Sequence, residues 1–340
     1  MEIKKSCMAY VGKVLEVFPI PDADRIMRAT VVCGKGGRWT GVVRKGDVQE
    51  GDSVVVFLPD AVVPKDNPAL AFMEKQNYRV KMMRLRGCPS EVLIMPVPDL
   101  FPIQVREGLG LYVGMDVTDV LGVMKYEKEI PLSMAGEMAG SFPSFIRKTD
   151  EPNYQTVPYL VEALWGWPYF VSEKADGSSA TVYWRDGHFG CCSRNWELRE
   201  TKGSAIWSIA REYELEKFLS EQNMAIQFEV VGPGIHGNPM GLTRVEPRLF
   251  NVIPDLSEYG LVGGLEAVRQ FSEACHFPMV KVVEVGFSFD YTTDEQFRTI
   301  AEGKYDNGKQ REGIVIRAQI PRYVGRELVS FKVINLLYRD

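Results

Sequence analysis

Four charged residues stand inside or at the ends of runs that are otherwise apolar. They are Lys174 in "FVSEKADG", Glu229 in "AIQFEVVG", Glu312 in "REGIVIRA" and Lys332 in "VSFKVIN". One such residue reads as an edge-strand side chain reaching water. Four in one half of a chain are compatible with a packed core only if they meet and compensate one another, because an unpaired buried charge is strongly destabilising. That requirement constrains the fold more than any local propensity does: strands far apart in sequence must end at one place.

The stretch "SEKADGSSATVYW", residues 172–184, sharpens the point. Its flanks read as strands, yet it places Lys174, Asp176 and Gly177 at the join, and Asp-Gly is a turn signal. An amine is thus offered at a strand end, a carboxylate follows two residues later, and the chain turns away. Adding Arg194 from "CSRN" gives three bases facing the carboxylates of Asp176, Glu229 and Glu312. Bases neutralise phosphate, and carboxylates hold hard cations through oxygen or water, so this set suits a polyphosphate with its metal ions. No GxxxxGK[ST] is present, which excludes a P-loop.

At 340 residues the chain exceeds the usual single domain, and its texture changes along its length. Residues 1–122 are β-rich, with "AYVGKVLEVFPI", "RIMRATVVC", "WTGVVRKG" and "DSVVVFLPD" separated by turn chemistry. About five short strands in roughly a hundred residues predict a small Greek-key barrel of the OB type. Residues 123–158 read as a connector with room for one short helix. Residues 159–340 alternate strands with helices at 204–222, 263–277 and 292–304, the last opened by a Thr-Asp cap. The fold class expected is α+β: an OB-like barrel followed by a mixed α/β domain.

Composition removes several classes. No apolar run approaches the roughly 20 residues of a membrane span, and the N-terminus lacks a signal-peptide core, so a soluble, cytoplasmic protein is expected. Six cysteines without a CxxC pair fit a reduced compartment and argue against structural zinc. His188, His236 and His276 have no ligand spacing. A net charge of −5 means that any nucleic-acid surface must be local. The local candidate is "YRVKMMRLRG", where an extended chain would place Arg79 with Lys81 and Arg84 with Arg86 as a phosphate-tracking stripe.

Lys174-Ala-Asp176-Gly177 resembles the KxDG motif of polynucleotide ligases and mRNA-capping enzymes. "SRN" at Arg194, "FEVVG" at Glu229, "FNV" at Phe250, "EGIVIR" at Glu312 and "SFK" at Lys332 follow in that superfamily's order. With "PIPDADRI" in the front half and "KTDE" before the second, the chain resembles the Deinococcus/Naegleria-type RNA ligases essentially end to end. It departs from the pattern at Phe228, where a glycine usually precedes the glutamate, and at Ser330, where many ligases have a lysine.

The resemblance implies ATP as cofactor, with Lys174 attacking its α-phosphorus to form lysyl-AMP. It implies Mg2+ or Mn2+ held by Asp176, Glu229 and Glu312, AMP contacts from Glu173, Arg194 and Lys332, and adenine stacked on Phe250. Gly177 would let the chain pass close to the nucleotide. Arg147 and Lys148 would orient the β- and γ-phosphates, because the chain ends soon after Lys332 without the C-terminal basic motif of other ligases. The expected partner is nicked duplex RNA or an RNA/DNA hybrid with 3′-OH and 5′-phosphate ends, bound by a monomer. Two alternatives stay open at this point: a GTP-dependent capping-type guanylyltransferase, and a non-catalytic tRNA- or RNA-binding protein.

Overall fold

The computed structural model describes residues 7–101, 110–126, 137–256 and 261–338. The chain divides into two compact units, Met1–Glu129 with Gln155–Pro158, and Ile130–Tyr154 with Tyr159–Asp340.

The first unit is built on a five-stranded antiparallel sheet in the order Gly37–Arg44, Ile26–Cys33, Ala9–Pro19, Ser53–Phe57, Leu93–Pro96. Alternation decides which face is buried: Ala29, Val31 and Cys33 point inward, as do Trp39 and Val43 on the neighbouring strand. Val54 to Phe57 are all fully buried, as a central strand covered on both sides requires. The basic stretch does not form the expected stripe. Met83–Leu85 and Cys88–Ser90 make a separate two-stranded hairpin, and Arg86 sits at its turn with φ of 51°. Arg84 donates to the Gly87 carbonyl at 2.8 Å. Arg79 is committed elsewhere, to Asp60 at 2.5 Å and to the Tyr126 ring at 3.6 Å. A left-handed residue reverses the chain, so the i, i+2 alternation behind the predicted stripe fails at Arg86.

The second unit contains a six-stranded sheet, in the order Met138–Ser141, Trp196–Leu198, His188–Ser193, Ser178–Arg185, Ala225–Val231, Glu246–Ile253. A four-stranded sheet runs Val282–Gly286, Tyr169–Lys174, Gly313–Ala318, Ser330–Ile334. Neighbouring strands within both sheets pair antiparallel. The helix expected over 204–222 is two, Ala205–Glu212 and Leu215–Leu219, because Glu214 adopts a left-handed φ of 49° between them. Ile206, Trp207, Ile209 and Ala210 nevertheless bury one face against the six-stranded sheet. Leu265–Cys275 and Asp294–Ala301 are the other two expected helices, and Thr293 caps the latter in a full capping box with Gln296.

The stretch read as a connector is shared between the units. Its Met138–Ser141 segment pairs with Trp196–Leu198, while 127–136 lie outside the described residues. Among the described residues, no helix is long and apolar enough to cross a membrane.

Candidate active site

Register brings the sequence motifs together. Lys174 closes its strand opposite Gly313, and two residues further along Val315 stands opposite both Ser172 and Lys332. Opposed residues share a face, so Lys174 and Lys332 lie on one side of the four-stranded sheet. Gly313 must be glycine here, since a Cβ would come within 2.2 Å of the Val333 carbonyl oxygen. Gly177 is required for a similar reason: its Cβ would meet the Val230 carbonyl oxygen at 2.2 Å. The glycine of KxDG therefore seats the turn against the backbone of the Glu229 strand.

Lys174 Nζ lies 2.7 Å from Glu312 Oε2, with the two side chains 25% and 20% exposed. Burial alone would depress the lysine, but Glu312, Glu229 and Asp176 together outweigh it and pull its pKa above the ordinary value. Burial likewise pushes Glu229 up to about 8, Glu312 and Asp176 adding to the rise and Lys174 opposing it. Three carboxylates thus crowd one ammonium, an excess of negative charge that suits a divalent cation. Among the described residues, however, no three His, Cys, Asp or Glu side chains stand close enough to ligate one ion directly. The donor set fits a cation held largely through water, not the direct three-carboxylate site.

Asp176 explains part of that. Its Oδ1 is 2.8 Å from His236 Nδ1, and its Oδ2 accepts from the Tyr338 hydroxyl. Tyr305 is a further contributor: its hydroxyl donates to the Lys174 carbonyl at 3.0 Å and accepts from the Glu312 N–H at 3.2 Å. It ties the backbones of the two paired residues together. Sequence reasoning missed all three, since His236 lies in a glycine-rich loop and neither tyrosine belongs to a periodic pattern.

A cavity of about 380 Å³ opens beside the Lys174 strand end. Glu173, Ala175, Met240, Leu242, Val280 and Tyr305 are among its walls. Burial raises the pKa of Glu173 against the opposing pull of Arg311 and Lys281. Phe250 packs on Ala175, Val231 and Val280 with Met240 and Leu242. It is the extra residue of a β-bulge, because Gln227 pairs with Asn251 and Phe228 with Leu249. Bulges re-aim side chains, and this one leaves Phe250 only partly buried within an otherwise core strand.

The remaining bases are peripheral. Arg194 pairs with Asp150 at 2.6 Å, both half exposed, and Lys148 donates to Asn195 at 3.0 Å. Arg147 donates to the Arg326 carbonyl and lies 5.7 Å from the Tyr323 ring. The two motif departures have local reasons. Phe228 faces away from Glu229 into the core, edge-on to Phe277 at 5.2 Å. Ser330 accepts from Arg317 Nε at 2.9 Å, while Arg317 also donates to the Phe250 carbonyl at 2.7 Å and to Glu151. Ser330 thus helps satisfy the guanidinium of an arginine that is only 8% exposed.

A family model for RNA ligase matches residues 168–334, and one for an OB-fold domain matches residues 8–97. Among solved structures, the chain is similar to Naegleria gruberi RNA ligase with pyrophosphate, at 31% identity and a TM-score of 0.80 over 97% of both chains. It is equally similar to a lysine-to-alanine mutant of that ligase with ATP and Mn, at 31% identity and a TM-score of 0.81 over 96% of this chain and 97% of that one. The lysine-to-methionine mutant with AMP and Mn matches at 31% and 0.81 over 97% of each. No curated protein sequence gives a significant match. With Lys174, Asp176, Glu229 and Glu312 gathered at one strand end and the likeness running over both units, the chain belongs to the RNA ligase family.

Proposed function

We propose that the protein is an ATP-dependent ligase that seals 3′-OH/5′-phosphate nicks in duplex RNA or an RNA/DNA hybrid, with Lys174 as the adenylylated residue. One observation carries the reading: Lys174 Nζ sits against Glu312, within the field of Glu229 and Asp176, beside a cavity walled by Glu173. The complexes of the Naegleria ligase with ATP and Mn and with AMP and Mn support the same cofactor and cation here.

The adenine enters the cavity along its Met240, Leu242 and Val280 wall, Phe250 packed beside that wall supplies the ring for stacking, and Glu173 accepts from the exocyclic amine. The Lys174 amine attacks the α-phosphorus, an N–P bond forms, and the P–O bond to pyrophosphate breaks. The amine must first lose its proton, and Glu312 is the nearest acceptor. Tyr305 keeps the two residues in register during that transfer. Mg2+ or Mn2+, when bound near Asp176, Glu229 and Glu312, supplies positive charge that offsets charge developing on phosphate. Lys332 and Arg194 contact the AMP phosphate, and Arg147 and Lys148 orient the departing pyrophosphate. AMP then passes to the RNA 5′-phosphate, and attack by the 3′-OH expels it and seals the strand. Lys81, Arg84 and Arg86 of the first unit add phosphate contacts.

The test is incubation with α-labelled ATP or GTP and Mn2+, followed by denaturation in acid. Label from ATP alone is expected on the chain. Label from GTP alone, or none from either, overturns the reading.

A further inference from the structure

The Lys174 strand begins at Tyr169, opposite Gly286 and Ala318. Around that end lies a surface that the adenylylation chemistry does not use. Trp165 and Trp167 are half exposed, Ile320 is 78% exposed and Phe287 89%. Backbone hydrogen bonds fix their relative places: Gly166 donates to the Phe289 carbonyl, Phe289 to that of Trp167, and Gln319 to that of Pro168. Exposed apolar residues scattered singly are ordinary, but four carried by three joined segments form a patch.

A cation is built into it. The Arg322 guanidinium carbon stands 3.4 Å from the centre of the Trp167 ring. Its Nε is buried without a hydrogen-bond partner, and among the described residues the guanidinium has no ion-pair partner. A guanidinium stacked on an indole directs its N–H donors outward in a fixed fork that matches phosphate or carboxylate oxygens. The apolar faces beside it suit the riboses that line the wide, shallow minor groove of an A-form duplex. Phosphate donor and apolar ribose-facing surface side by side are the chemistry of a duplex RNA contact. From Tyr169 to Lys174 is five residue steps, roughly 17 Å at ~3.3 Å each, the reach of about five nucleotides.

We propose that the surface of Trp165, Trp167, Phe287, Ile320 and Arg322 is a second RNA contact, gripping the substrate about five nucleotides from the nick. It rests on the ligase reading above. The full-length protein carrying Arg322→Gln and Phe287→Ala tests it, since both side chains reach the surface and neither belongs to the site around Lys174. ATP labelling should match the wild type. Affinity for a nicked duplex RNA with long arms, measured by fluorescence anisotropy, should fall about tenfold, with a salt slope smaller by about one. Trimming one arm to four base pairs should erase the difference between variant and wild type. Unchanged affinity on the long duplex would overturn the proposal, as would an equal loss on both trimmed and long substrates. A change in oligomeric mass with unaltered RNA affinity would overturn it in favour of a protein-docking face. Failure of the wild type to take label from ATP would sink the ligase reading, and the affinity comparison distinguishes that result.

Discussion

The site around Lys174 and the basic stretch of the first unit were inferred from the same kind of sequence signal, charged residues in strand-like runs, and the structure treats them oppositely. In the second unit the charges converge: paired strands in fixed register leave Lys174, Glu312 and Lys332 at one end of one sheet. In the first unit they disperse, Arg79 onto Asp60 and Arg86 into a turn. The difference lies in what fixes each residue. Register is dictated by burial of the alternating face, so a charge on a core strand has nowhere else to go. A surface stretch is under no such compulsion, and one left-handed residue redirects it.

That contrast orders the expected effects of substitution. Lys174→Ala should abolish ATP labelling while still sealing a nick supplied with a 5′-AMP cap, because that step needs no lysyl-AMP. Retained labelling in a folded variant would remove Lys174 from the centre of the convergent site.

Next in size is Glu312→Ala, which should slow adenylylation by about 100-fold or more and also impair sealing, since its charge serves each phosphate transfer. Glu312→Gln offers a finer readout. Lys174 has a raised pKa, so reactive free amine is scarce at neutral pH and adenylylation should quicken as pH rises. Removing the nearest carboxylate should displace that rise toward lower pH. A profile identical to the wild type would contradict the pairing.

Glu229→Gln addresses the crowding itself. The folded-state pKa of about 8 exceeds the ordinary carboxyl value, so the stability this residue contributes is complete below about pH 4.5 and is lost as pH rises through about 8. Without nucleotide or metal, the glutamine variant should be the more stable protein at pH 8, by on the order of 3 kcal/mol, with the gap closing toward pH 4.5. Denaturant titrations at the two pH values check this, and a variant less stable at pH 8 would mean that Glu229 is compensated.

Tyr305→Phe should cost about 1–3 kcal/mol by leaving the Lys174 carbonyl and Glu312 N–H unpaired, and slow adenylylation about tenfold. The smallest effect belongs to the dispersed region. Alanine at Lys81, Arg84 and Arg86 should weaken RNA binding a few-fold with a shallower salt dependence, and leave ATP labelling intact. A loss as large as that of Glu312→Ala would erase the distinction between the two regions.

Much of this was legible beforehand because it follows from strand alternation and motif order. The strands bearing Lys174, Glu229, Glu312 and Lys332, the capped helix after Thr293 and the β-rich front half are all of that kind. What escaped was contributed by residues without a pattern. His236 and Tyr338 reach Asp176 from loops, and only tertiary structure brings them there. The bulge at Phe250 comes from one unmatched residue in a strand whose sequence alternates no differently from its neighbours. The break at Glu214 depends on a single left-handed residue that propensity does not mark. The seat of Gly177 on the Val230 backbone escaped for a related reason: the sequence shows that a glycine is present but not which backbone approaches it.

The central claim is that convergence of the four strands makes Lys174 the covalent acceptor of AMP. Peptide mapping by mass spectrometry, after incubation of the full-length protein with ATP and Mn2+, tests it directly. One adenylyl group is expected, on the peptide containing Lys174 and on its side-chain nitrogen. AMP found on Lys332, on Lys148 or on any other residue while Lys174 remains unmodified would contradict it.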